Sequence, residues 1–101
     1  MSEFDQRQYR LIVDQLKRFT SKEIDLGTVV DNLEGLLNAI ERVDEGWKDA
    51  FLSQWGKLED ARAFALYKGL NELDSATAER VQDAVAQLKL MALERIDDPA
   101  D

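Results

Sequence analysis

Histidine and cysteine are absent from this 101-residue chain, and proline occurs once. Without cysteine no disulfide can staple the fold, and no thiolate can serve as nucleophile or soft metal ligand. Without histidine the commonest general base is gone, which excludes a serine triad of the usual kind and the Glu-x-x-His sites of di-metal helical bundles. Five glycines leave little material for turns, so long uninterrupted elements are expected. No apolar run approaches the ~20 residues of a membrane span. The opening MSEFDQRQYR lacks the apolar stretch of a signal peptide. Cytoplasm is the expected compartment.

What is present is a chain 45% hydrophobic and 34% charged, a balance that supports one buried core inside a well-solvated surface. Acids outnumber bases 21 to 13, giving a net charge of −8. That sign opposes nucleic-acid phosphates, whose affinity rests largely on Lys and Arg, and it opposes anionic membranes. No calcium loop, no phosphate-cradling glycine loop and no cofactor motif is legible. The adjacent pair Glu59-Asp60 cannot converge on a substrate, because consecutive helical residues point apart. A non-catalytic binding protein without cofactor or metal is the expectation.

Apolar residues recur at intervals of three and four, the helical period. A first helix is predicted from Glu3 to Phe19, with Tyr9, Ile12, Val13, Leu16 and Phe19 on its inner face. A second starts near Leu26, capped by Asp25, with the stripe Val29, Val30, Leu33, Leu36, Leu37 and Ile40. A third follows Asp44 and reaches Lys68, carrying Trp47, Phe51, Trp55, Leu58, Ala61 and Ala65, with Gly69 as its terminator. Phe64 and Tyr67 widen its apolar arc, so this helix is expected to be the most buried. A fourth begins after Asp74 or Ser75 and turns Val81, Ala84, Val85, Leu88, Met91 and Ala92 inward. Short connections between amphipathic helices predict an all-α fold, an antiparallel up-down four-helix bundle over residues 1–96, followed by a disordered acidic tail over 97–101.

The charge is not evenly spread. Between Asp31 and Asp49, six acids (Asp31, Glu34, Glu41, Asp44, Glu45 and Asp49) face only Arg42 and Lys48, a net −4 over 19 residues and half of the chain's total. At 100° per residue, Asp31, Glu34, Asn38 and Glu41 share one flank of the second helix, and the remaining acids carry the patch over the turn. An ordinary exposed helix face interleaves signs. This one does not, which points to a basic partner. The stripe Trp47, Phe51, Trp55 reads first as core, but tryptophan is also enriched at interface hot spots. Trp47, beside Asp44 and Glu45, is the expected anchor of the pair. Phe4, Leu11 and Leu90 fall off the inner faces, and a weak homodimer through them is a second expectation.

The run Leu16-Lys17-Arg18-Phe19-Thr20-Ser21-Lys22-Glu23-Ile24 resembles the opening of the colicin D immunity proteins and their relatives. There a first helix ends in Leu-x-x-Phe-x-Ser, and an Ile shortly after leads into a second amphipathic helix. The order of four helices and the late Leu88-Lys89 are similar as well. The resemblance implies a small acidic helical bundle that binds the nuclease domain of a bacterial toxin and covers its basic cleft. None of the family's contact residues carries over by position. The run from Trp47 to Trp55 departs from the family pattern, which widens the implied partner to contact-dependent inhibition and other polymorphic toxins.

Together these readings lead to the expectation of an immunity protein that neutralises a basic toxin domain, with contacts from Asp31, Glu34, Glu41, Asp44, Glu45 and Asp49 and from Trp47 as an apolar anchor. The alternative is a helical adaptor or regulatory protein with a different basic partner, dimeric through Leu90, Phe4 and Leu11.

Overall fold

The structure, a computed structural model, describes residues 3–69 and 73–96. Its elements are α1 (Glu3–Thr20), α2 (Leu26–Ala39), α3 (Glu45–Lys68) and α4 (Ser75–Glu94), and no strand occurs among the described residues. The expected tail at 97–101 lies outside them.

Three of the helices begin on an aspartate in extended conformation, whose side chain accepts an otherwise orphaned backbone N–H: Asp25 from Thr28, Asp44 from Trp47 and Asp74 from Thr77. These bonds measure 2.7–2.8 Å. Two helices end on a left-handed residue with φ of 67°, Gly69 after α3 and Lys22 after α1. Around Lys22 the chain makes the paired closure typical of helix ends: the Lys22 N–H donates to the Phe19 carbonyl and the Glu23 N–H to that of Arg18. Glycine takes that conformation without strain; lysine does not.

Each helix packs on two neighbours in the cyclic order α1, α2, α3, α4, while the backbones of the diagonal pairs stay apart among the described residues and side chains such as Tyr9 and Trp47 meet between them. Polar links fix the directions. Asp5, in the first turn of α1, accepts N–H bonds from Glu41 and Arg42 just past α2, and the Gln6 amide donates to the Arg95 carbonyl at the end of α4. Asp44, at the start of α3, accepts from the Arg95 guanidinium. The start of α1, the α2–α3 turn and the end of α4 therefore meet at one end of an antiparallel bundle. Inside lie Tyr9, Ile12 and Leu16 of α1, Val29 and Leu33 of α2, Phe51 and Leu58 of α3, and Val81, Leu88 and Ala92 of α4, each fully or almost fully buried.

The expectation that α3 would be the most buried helix is corrected. Of its 24 residues only Trp47, Phe51, Leu58 and Ala61 are buried, while Phe64, Leu66 and Tyr67 are 45, 71 and 84% exposed. Length is the reason. At ~1.5 Å per residue α3 is about 36 Å long against about 21 Å for α2. A side-chain carbon at Gly27, in the first turn of α2, would stand 3.4 Å from Arg62 Nε, so Arg62 is level with the beginning of α2. Everything after Arg62 runs past that neighbour, and its apolar side chains have no helix to cover them on that side.

Candidate acidic binding surface

The acidic flank of α2 lies on the side that faces α3. Asp31 accepts from the Arg62 guanidinium of α3 at 3.0 Å, whereas Asn32, one residue on, donates to Gln15 of α1. The side of α2 toward α3 thus carries Asp31, Glu34 and Asn38, the turn adds Glu41, and Glu45 and Asp49 continue the charge on the outward side of α3, two residues either way from the buried Trp47, all six of them exposed. Glu45 and Asp49 are four residues apart, so like charges stack on one helix face, an arrangement that disfavours the helix unless something positive approaches. Glu45 is offset in part by the positive end of the α3 dipole.

Two of the expected acids are already engaged. Asp31 is paired with Arg62, which also stands 3.7 Å from Glu59. Asp44 accepts the Trp47 N–H with one oxygen and Arg95 with the other, both at 2.7 Å. The Trp47 N–H, and after it Arg95, holds the Asp44 carboxyl below the usual aspartate range. Glu34, Glu41, Glu45 and Asp49 make no ion pair among the described residues, and they form the accessible charge of the surface. The cations nearest to them in sequence are Arg42, exposed in the turn, and Lys48, half-buried beside Asp49.

Trp47 is not an exposed anchor. Its indole is 7% exposed, edge-on to Tyr9 at 5.4 Å between centroids and stacked on Phe51 at 5.2 Å, with the Arg95 guanidinium over it at 5.3 Å. It belongs to the core under the acidic turn and can support that turn but not reach out of it. Trp55 is half-buried and its Nε1 donates to the Val30 carbonyl.

No family model, curated protein or solved structure matches this chain. What the surface can do therefore rests on its own geometry.

Three residues that sequence reasoning passed over shape this surface. Asp5 is wholly buried, and its two oxygens accept the Glu41 and Arg42 N–H groups at 2.9 and 3.1 Å, which fixes the path of the acidic turn. The signal was there: Asp5 precedes Tyr9 by four residues and Ile12 by seven, so it falls on the buried stripe of α1. Arg95 likewise follows Leu88 by seven, on the inner side of α4. Arg62 gave no signal, since its partner Asp31 is 31 residues away in sequence.

None of the seven expected contact residues lines any of the three principal clefts among the described residues. Nor does any group of three or more acids there come together as a metal site. The acidic face is a broad surface, the shape suited to another macromolecule rather than to a small substrate. Its carboxylates attract cationic groups and accept hydrogen bonds from Lys and Arg, with Arg able to engage one in a two-pronged contact.

Proposed function

We propose that the chain is an immunity protein of the cytoplasm that binds and neutralises a basic toxin domain, a nuclease, through the α2/α3 face. The observation that carries the reading is the set of four exposed carboxylates without ion-pair partners among the described residues: Glu34 on α2, Glu41 on the turn that Asp5 anchors from inside, and Glu45 and Asp49 on α3. A surface of this kind takes the place of nucleic-acid phosphates on a basic cleft and speeds association through long-range attraction. A helical scaffold adds rigidity, so little ordering is required on binding.

The test is the double variant Glu34→Lys and Glu41→Lys, which touches neither a cap nor an ion pair. The partner is first captured from the source bacterium on the immobilised protein. Association is then followed by stopped flow at low and moderate salt. The reading requires association to slow at least about tenfold at low salt, with the difference shrinking as salt rises. Equal rates for the variant and the parent would remove the acidic face from the interface.

A second reading rests on Phe4 and Leu11 of α1 and Leu90 of the adjacent α4, all exposed. It makes the chain a dimeric adaptor for another basic protein. Light scattering at micromolar concentration separates the two, since a strict monomer rules out the dimer.

A further inference from the structure

At the end of the bundle opposite the acidic turn, a cleft of about 840 Å³ opens between the α1–α2 turn and the stretch of α4 from Ala78 to Lys89. Its walls carry Phe19, Ile24, Leu73, Val81 and Val85. Such a size and lining fall within the range of small-ligand sites, ~300–1,000 Å³ and mostly apolar. Lys22 and Lys89 also line it. Neither ammonium has an ion-pair partner among the described residues. Lys89 is half-buried, and the residues three and four away on its helix are Ala86, Val85, Ala92 and Leu93, so α4 offers it no carboxylate.

The two acids of the lining are turned to other donors. The Asp25 carboxylate accepts the Thr28 N–H at the start of α2, and that of Glu23 accepts the Ser21 hydroxyl at 2.7 Å. In a chain of net charge −8 the cleft thus sets an apolar wall beside two lysines without ion-pair partners and two carboxylates, each held where it sits by a neighbouring donor.

A second observation is independent of the cleft's lining. Lys22 is the one described non-glycine residue with positive φ, at the helix-ending position where Gly69 serves α3. A strained conformation kept by a residue that glycine would relieve is a mark of function rather than stability. What lysine adds there is an ammonium at the cleft.

We propose that this cleft binds a free amphipathic carboxylate of fatty-acid type, with the apolar body against Phe19, Ile24, Val81 and Val85 and the anionic head between Lys22 and Lys89. The site goes beyond the toxin-binding reading and lies away from the acidic turn, so either can fail alone.

The probe is sodium decanoate, titrated into the 15N-labelled protein below its micelle concentration, with decyltrimethylammonium as the matched cation. Saturable amide shifts confined to residues around Phe19, Lys22, Ile24, Val81 and Lys89 are expected, with Kd about 0.1–1 mM for a ligand of this size. The cation is expected to bind the cleft at least about fivefold more weakly, although the overall charge of the protein favours it. Lys22→Gly is expected to raise the melting temperature by roughly 4–8 °C through relief of strain. The same change, and separately Lys89→Gln, is expected to weaken decanoate about two- to fivefold. Shifts scattered over the surface, no saturation by about 5 mM, equal binding of the cation, or unchanged affinity in both lysine variants would each overturn the proposal.

Discussion

Replacing Asp5 by alanine removes a buried carboxylate on which the α2–α3 turn hangs. Its oxygens accept two backbone N–H bonds, from Glu41 and Arg42, at 2.9 and 3.1 Å. A hydrogen bond to a charged acceptor contributes about 1.5–3 kcal/mol net, so the pair sets a range of about 3–6 kcal/mol. The turn is only partly buried, and water can reach one or both N–H groups once the carboxylate is gone. That moves the expected loss to the lower end, about 3 kcal/mol. For a domain of this size such a loss lowers the melting temperature by roughly 12–24 °C. Against a typical total of about 5–15 kcal/mol, most of the population stays folded at room temperature. Urea and thermal melts followed by far-UV circular dichroism measure the loss, and amide exchange at Glu41 and Arg42 should accelerate more than at the α1–α2 turn. Asp5→Asn keeps one acceptor oxygen and the shape, and should fall between parent and alanine. A loss below about 1 kcal/mol for Asp5→Ala would refute the claim that this side chain holds the acidic turn.

Two further outcomes follow from the same set of contacts. Each of Asp25, Asp44 and Asp74 accepts the N–H of the third residue of its helix, which lowers its pKa below the unfolded value. A depressed carboxyl contributes stability above the unfolded pKa and loses it as pH falls through the folded one, so stability should hold from neutral pH down to about 4 and decline below. A melting temperature that climbs between pH 4 and 3 contradicts this. The Tyr9 hydroxyl is buried without a hydrogen-bond partner among the described residues, and burial raises its pKa. Tyr9→Phe should therefore leave stability unchanged or raise it by about 1 kcal/mol, and a loss above about 1 kcal/mol in urea melts shows that the hydroxyl is bonded.

Local chemistry was legible in the chain. Asp25, Asp44 and Asp74 cap where an aspartate precedes an amphipathic run, and Gly69 ends α3 in the left-handed conformation. The inner faces of α1, α2 and α4 followed from their period, with Phe19, Leu36 and Met91 only half-buried at the margins. What the chain hid depends on neighbours. The exposure of Phe64 and Tyr67 comes from the mismatch in length between α3 and α2, which no single-helix pattern contains. Trp47 lies under the acidic turn because Tyr9, 38 residues earlier, meets it edge-on. The acidic patch was visible as a run of residues, but its reduction to four accessible carboxylates needed Arg62 and Arg95, which arrive from distant parts of α3 and α4. Lys22 looked like an ordinary turn lysine. Only its backbone conformation and the cleft beside it set it apart.

The cyclic packing order also constrains how the chain can assemble during synthesis. α4 covers both α1 and α3, and the Gln6 amide closes onto the Arg95 carbonyl across 89 positions. When the first three helices have left the ribosome, the seam of α1 that carries Tyr9, Ile12 and Leu16 still lacks one of its two walls. A three-helix precursor must expose that seam until α4 emerges, and such surface is where chaperones bind and where aggregation begins. Docking of α4 then closes a loop of 89 positions, a step whose entropic penalty grows only slowly with length. Folding of this bundle is therefore expected to be late and abrupt, with the end of α4 latching the start of α1.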